Sequence, residues 1–99
     1  MLLVFSTYPS KTHAKKAALS LIRKRLVACA NIYAIESLYM WKGKMHNEKE
    51  WVLELKTAKK NYSLVKKELI SNHPYELPAF YASEVLSDKK FEKWVSKPR

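Results

Sequence analysis

The side chains best suited to bind a metal ion in this sequence are one cysteine and three histidines. Cys29 and His73 carry soft or borderline donor atoms that suit copper or zinc. Glu48, Glu50 and Glu54 occupy even-numbered positions of one stretch, so a β-strand would present all three carboxylates on the same face. Nearby lysines are the expected partners of these carboxylates. The histidines are not spaced as a ligand set, so the sequence by itself predicts no dense metal site.

Catalytic residues are not combined in a familiar pattern either. The sequence places no nucleophile beside a base, and its single glycine excludes a glycine-rich phosphate-binding loop. We interpret Cys29, which lies among apolar neighbours, as a small buried residue rather than a nucleophile. Lys56 or Tyr75 remains available as an acid–base group in a cleft. We therefore predict a protein without enzymatic activity and keep a cleft enzyme as an alternative.

The net charge of +10 is carried mainly by lysine, since only three of the 19 basic residues are arginines. Specific nucleic-acid and phosphate sites favour the planar guanidinium group of arginine, whereas lysines scattered over every segment indicate a solvated surface. No apolar run is long enough to span a membrane. We expect neither a membrane nor a nucleic-acid partner, and a basic nucleic-acid-binding module is the alternative function.

The elements that position these residues follow from the spacing of apolar side chains. The pattern predicts, in order, strand 2–5, helix 11–25, strand 26–41, strand 45–57, helix 61–71, strand 79–85 and a short final helix. Ser10 is the expected N-cap of the first helix, and Ser87 or Asp88 that of the last. This order predicts an α+β fold in one domain over residues 1–99, a ferredoxin-like split βαβ sandwich with a long central β-hairpin and a short C-terminal helix.

The hairpin is the most informative of these elements. Gly43 lies between its two predicted strands and is the only residue in the chain that adopts a positive φ without a steric penalty. Each arm exceeds the usual five or six residues of a strand. Long arms leave backbone hydrogen-bonding groups unpaired at their edges, so we expect a neighbouring subunit to cover them.

Two families that share this strand order are poor matches. Acylphosphatases bind phosphate through an arginine in the loop after the first strand, and residues 7–12 contain none. RNA-recognition modules carry an aromatic sheet motif with glycines, which is also missing.

A set of short strings, taken in order, resembles the CutA divalent-cation tolerance family over residues 2 to 95. The matching strings are Ala28-Cys29-Ala30-Asn31, Ser37-Leu38-Tyr39-Met40-Trp41-Lys42-Gly43-Lys44, Glu50, Leu55-Lys56-Thr57, His73-Pro74-Tyr75 with Pro78, and Phe91 with Trp94. The resemblance implies a cytoplasmic homotrimer whose hairpin arms pair across subunits and which takes part in divalent-metal tolerance, with copper the favoured ion. It also implies that a small ligand could occupy clefts between subunits, which would be lined by Cys29, Trp41, Glu50, Lys56, Thr57 and Tyr75.

The metal ligands of the family are only partly present. Some bacterial relatives carry a cysteine in the first strand and a His-His pair before Pro-Tyr, whereas this chain has Ser6 and Asn72-His73 at those positions. The resemblance therefore leaves His73 as the predicted metal ligand. Because one imidazole rarely holds copper selectively, a carboxylate-rich or inter-subunit site would have to contribute further donors.

Overall fold

The computed structural model describes residues 1–97 and has the predicted α+β architecture. Its elements are β1 (Leu2–Tyr8), α1 (Lys11–Arg23), β2 (Cys29–Trp41), β3 (Lys44–Thr57), α2 (Tyr62–Ser71), β4 (Tyr81–Glu84) and α3 (Lys89–Val95). Neighbouring strands are antiparallel, and their order in the sheet is β2-β3-β1-β4. This is the ferredoxin-like order, and the predicted fold class is confirmed.

The largest differences from the predicted bounds lie in β1, which continues to Tyr8 instead of ending at residue 5, between α1 and β2, and in β4. The helix ends at Arg23 and β2 begins only at Cys29, because Arg25 adopts a left-handed φ of 58° that neither a helix nor a strand can continue. The fourth strand covers residues 81–84 of the predicted 79–85, and before it the carbonyl of Ala79 accepts a hydrogen bond from the side-chain hydroxyl of Ser6 (2.8 Å).

The helices begin as their capping residues indicate. The Ser10 side chain accepts a hydrogen bond from the backbone N–H of His13 (3.1 Å), as predicted. Of the two candidate caps for α3, Asp88 performs the role by accepting bonds from the backbone N–H groups of Lys90 and Phe91. Within residues 1–97, no helix is long and apolar enough to cross a lipid bilayer.

The hydrophobic core lies between one face of the sheet and the helices α1 and α2. Alternate residues of β1 and β3 point into it, including Val4, Leu53 and Leu55, which are fully buried. The helices contribute Ala14, Ala18, Leu21, Val65 and Leu69. Because the helices pack on this face, the opposite face of the sheet stays uncovered in the single chain, and we call it the open face.

The hairpin between β2 and β3 extends well beyond the body of the chain. β2 pairs with β3 from Cys29 to Trp41, whereas β1 reaches only the part of β3 from Trp51 to Thr57. Lys42 and Gly43 form a two-residue loop with φ values of 50° and 79°, the pattern of a type I′ turn. Gly43 therefore has the positive φ that was predicted for it, and the projecting arms stretch the molecule to 45 Å in its longest dimension.

Candidate functional site

Most of the predicted cleft residues lie on the open face of the sheet. Cys29 faces Lys56 across the ladder between β2 and β3, and Ile35 faces Glu50. Directly opposed residues of neighbouring strands share a face, and side chains two positions apart return to it. Trp41 therefore lies on the same face as Cys29, at the far end of the hairpin arm.

A groove of about 330 Å³ lies on this face, between the hairpin and the segment that follows α2. Its lining combines aromatic and acidic residues: Thr7, Tyr39, Trp41, Glu50, Tyr75, Glu76, Leu77 and Ala79. The fold thus brings together three of the predicted residues, Trp41, Glu50 and Tyr75, although they are far apart in sequence. The sequence analysis did not select Tyr39 or Glu76, which complete the aromatic and acidic lining.

A short hydrogen bond between Tyr75 and Glu50 fixes the floor of the groove. The Tyr75 hydroxyl donates to Glu50 Oε2 at 2.7 Å, and only 8% of Glu50 is exposed. Burial, together with this bond and the charge of Glu50, raises the pKa of Tyr75 well above its usual value. Tyr75 therefore remains a protonated donor at neutral pH and is poorly suited to act as a base.

Lys56 and Cys29 lie at the opposite end of the open face, in a polar ladder. Lys56 Nζ donates to Asn31 Oδ1 at 2.6 Å and to Glu54 Oε2 at 3.2 Å. The Tyr33 hydroxyl donates to Glu54 Oε1 at 3.3 Å, and Cys29 Sγ lies 3.8 Å from Asn31 Oδ1. These contacts hold the Lys56 ammonium against a carboxylate and an amide, so it does not join the aromatic groove.

Thr57, by contrast, points to the helical side of the sheet and does not line the groove. It is fully buried, and its hydroxyl donates to the backbone carbonyl of Leu26 at 2.6 Å. The Asn61 side chain donates to the same carbonyl at 3.4 Å. The Thr57 hydroxyl thus satisfies a backbone carbonyl of the loop after α1. Its position next to Lys56 in the sequence did not reveal this structural role.

The structure commits both ring nitrogens of His73 to hydrogen bonds. Nε2 lies 2.8 Å from the carbonyl oxygen of Thr7, and Nδ1 accepts the backbone N–H of Tyr75 at 3.1 Å. The ring also stacks on Tyr8 with centroids 4.3 Å apart. These bonds select the neutral tautomer with the proton on Nε2. Metal ligation by His73 remains a prediction, and it would require one of the two bonds to break.

The burial of His73 leads to a pH-dependent stability. Burial lowers the pKa of His73 below its ordinary 6.5, so the folded chain binds this proton less readily than the unfolded chain. The resulting stabilisation is complete above pH 6.5 and is lost as the pH falls through the lowered pKa. We expect chemical denaturation to show wild type more stable than His73→Gln at pH 7, by a margin that narrows toward pH 5.

A His13→Gln variant separates the effect of burial from that of a neighbouring charge, because His13 is exposed on α1 and its charge also lowers the pKa of His73. We expect the difference in free energy of unfolding between His13→Gln and His73→Gln to narrow toward pH 5 as well, because burial is the largest cause of the lowered pKa of His73. A margin between wild type and His73→Gln that is constant over the same pH range would contradict the prediction.

A second histidine lies on the projecting arm and was not selected from the sequence. His46 Nδ1 is 3.1 Å from Glu48 Oε1, and the Tyr39 hydroxyl donates to Glu48 Oε2 at 3.0 Å. The bonds from His46 and Tyr39 lower the pKa of Glu48. The rings of His46 and Tyr39 stack with centroids 5.1 Å apart. The spacing of His46 and Glu48, two apart on a strand, was the available signal.

A family model described as the CutA1 divalent ion tolerance protein matches residues 2–98. The chain belongs to the CutA1 family. The divalent-cation tolerance protein CutA of Thermotoga maritima is 40% identical over 86% of this chain and 84% of its own length. The CutA protein of Pyrococcus horikoshii is 32% identical over 96% and 94%.

Solved CutA1 structures agree with the fold described above. The crystal structure of CutA1 from Pyrococcus horikoshii has a TM-score of 0.93 at 31% identity, covering 96% of this chain and 94% of that one. The PII-like protein CutA from Nostoc sp. PCC 7120 has a TM-score of 0.92 at 31% identity, covering 97% and 94%. CutA1 membership thus accounts for the split βαβ sheet and for the long hairpin.

Membership of a divalent-cation tolerance family makes the available metal donors important. Among residues 1–97, no three His, Cys, Asp or Glu side chains lie close enough together to hold an ion. The best donor is His46, because Nδ1 faces the Glu48 carboxylate and Nε2 forms no hydrogen bond within the described residues. A carboxylate that binds one ring nitrogen fixes the tautomer and makes the other nitrogen a better ligand.

Proposed function

We propose that this CutA1 family member acts in divalent-cation tolerance as a non-catalytic homotrimer. The observation that carries the proposal is the open face of the sheet together with its projecting arms. Bound metal, with copper the favoured ion, would be held between copies of the chain. The groove at Glu50 and Tyr75 would receive a small ligand.

Exposed apolar side chains on the sheet support self-association. Tyr33 and Tyr81 are 43% and 56% exposed on the open face, where Tyr81 stacks on Phe5. The projecting arm exposes Leu38, Met40 and Met45 to at least 60%. Tyr33 lies on the open face, whereas Leu38, Met40 and Met45 lie on the other face of the arm, so apolar side chains are exposed on both sides of the sheet. Unpaired strand edges also invite pairing with another chain. A second copy of the chain presents the same exposed apolar side chains and the same unpaired strand edges, so it can cover both.

The chemistry of His46 supports a metal site shared between copies. Imidazole nitrogen suits divalent copper, nickel and zinc, and copper binds most tightly in this series. One imidazole with one adjoining carboxylate is too small a set to hold an ion selectively, so further donors would come from neighbouring copies. The free thiol of Cys29 fits the reducing cytoplasm that we propose as the location.

Titration with Cu²⁺ tests the metal site. We expect His46→Ala to weaken Cu²⁺ binding by at least about tenfold, as measured by isothermal titration calorimetry, because it removes the proposed ligand. His73→Ala is expected to have a smaller effect, since that ring is already committed to Thr7 and Tyr75.

The third histidine supplies a matched control. His13→Ala removes an exposed imidazole from α1, far from the hairpin in sequence, and should leave the affinity unchanged. Equal Cu²⁺ affinity in wild type and His46→Ala would rule out the arm site. A selective loss in His73→Ala would favour the ligand that the family resemblance implies.

A further inference from the structure

A second cavity, of about 450 Å³, lies on the helical side of the sheet, away from the open face that the proposed trimer covers. One face of α1 supplies the first wall, from His13 to Lys24, a rise of about 16 Å along the helix axis. The end of α2 and Pro74 supply the second wall. None of the described residues that line the cavity belongs to the open face or to the projecting arms. Assembly through those surfaces would therefore leave this cavity accessible.

The floor of the cavity is apolar apart from one hydroxyl group. Its buried lining residues are Tyr8, Leu21 and Leu69, which are at most 2% exposed. The Tyr8 hydroxyl is buried and has no hydrogen-bond partner within residues 1–97, and the Ser6 hydroxyl on the same face of β1 donates to the carbonyl of Ala79 instead. A buried hydroxyl without a partner is unfavourable, so a ligand atom that accepts a hydrogen bond from it would stabilise the complex.

Basic side chains line the cavity at the start of α1. Lys16 forms no salt bridge within residues 1–97. The Ser10 hydroxyl accepts the backbone N–H of His13 and lies 2.6 Å from its Nδ1, an arrangement that favours the ring proton on Nε2. After burial, the charge of His13 also lowers the pKa of His73, whose ring stacks on Tyr8. The His13 imidazole therefore lies near the Tyr8 end of the cavity.

The other charged residues of the cavity neutralise each other. The Lys24 ammonium contacts the Glu68 carboxylate, and Asn72 Nδ2 donates to the same carboxylate oxygen at 3.3 Å. Glu68 is the only acidic side chain among the described residues that line the cavity. Lys16 thus remains as an unpaired positive charge above an apolar floor, a combination that suits an anion with an apolar body.

We propose that the cavity between α1 and α2 binds a small carboxylate that carries an apolar chain. The carboxylate group would lie against Lys16, His13 and the Tyr8 hydroxyl. The chain would cover Leu21 and Leu69, and burying it adds to the affinity in a way that a fully hydrophilic anion cannot match. The inference goes beyond the proposed function and rests on neither the metal site nor the interface between copies, so either can fail without the other.

Hexanoate and its neutral amide, hexanamide, are the probes, and inorganic phosphate is the anion without a chain. We expect hexanoate to bind at least about tenfold more tightly than either in metal-free calorimetric titrations of the wild-type protein. Equal binding of hexanoate and hexanamide would show that the charge is not recognised. Equal binding of hexanoate and phosphate would show that the apolar floor is not used. Either result, or no binding of hexanoate, would overturn the proposal.

Two substitutions of charged residues locate the site. Lys16→Gln should weaken hexanoate binding by about tenfold, because it removes the unpaired cation. Glu68→Gln should strengthen binding several-fold, because it removes the negative charge that neutralises Lys24. Lys15→Gln is the matched control, since Lys15 is an exposed lysine of the same helix that does not line the cavity, and it should leave the affinity unchanged. Equal weakening by Lys15→Gln and Lys16→Gln would mean that only net charge matters and would overturn the proposal.

Tyr8→Phe separates ligand binding from folding. The substitution removes a buried hydroxyl that has no partner, so the variant should unfold at the same temperature as wild type or at a higher one. Its affinity for hexanoate should nevertheless fall several-fold. A lower unfolding temperature with unchanged affinity would show that the hydroxyl serves the fold and not a ligand, and would contradict the proposed site.

Discussion

Replacing Tyr33 with glutamate is expected to reduce the mass of the protein in solution from three protomers to one. Tyr33 is 43% exposed on the open face and donates a hydrogen bond to Glu54. A new carboxylate there would face Glu54 within the proposed interface. Lys56 already pairs with Glu54, so the added carboxylate would be buried without a partner of its own and next to a like charge. This costs several kcal/mol, which is enough to dissociate an assembly at micromolar concentration.

Sedimentation equilibrium of wild type and the variant provides the measurement. Leu64→Glu is the matched control, because Leu64 is an exposed apolar residue (55%) on α2, on the other side of the sheet. We expect this control to retain the wild-type mass. A wild-type mass near one protomer would refute the trimer, and a Tyr33→Glu protein that stays trimeric would show that the open face is not the interface.

Truncating Leu53 to alanine should lower the free energy of unfolding by about 2–5 kcal/mol. Leu53 is fully buried in the middle of β3, in register with Ser6 of β1 and Ile32 of β2. Alanine would leave a cavity beneath α1 and α2, where the packed strands have little freedom to close it. The cost therefore includes both the lost apolar burial and the remaining void.

The effect of Leu53→Ala is best measured by urea denaturation in a Tyr33→Glu background, where assembly does not add to stability. Leu64→Ala is the matched control and should change the free energy by no more than about 0.5 kcal/mol, since Leu64 is more than half exposed. Similar losses in the two variants would mean that Leu53 is not part of a tightly packed core.

The fold was predictable because its signals are local. Alternating side chains in β3, helical spacing in α1 and the single glycine each determine a short element, and few sheet orders accommodate the resulting sequence of elements. Strand and helix bounds were less predictable. Arg25 adopts a positive φ without being a glycine, and no sequence pattern marked this position as the end of α1.

The groove could be predicted only in part, because its walls come from distant segments. Side chains alternate between the two faces of a strand, so Glu50 and Lys56 share one face of β3 and Thr57 points to the other. This alternation alone indicates that Thr57 does not lie beside Glu50 and Lys56. No such rule shows that Tyr75 reaches Glu50. That contact depends on how the segment after α2 folds back, which the bonds of His73 to Thr7 and Tyr75 determine.

The central place of β1 in the sheet has a consequence for synthesis of the chain. β1 is made first, yet its two neighbours are residues 51–57 of β3 and the four residues of β4 that end at Glu84. Until those residues have emerged from the ribosome, the apolar run at the N-terminus has no strand on at least one side. The nascent chain therefore carries an unsatisfied strand until β4 has been made, and chaperones or early chain association have the greatest influence on yield during that interval.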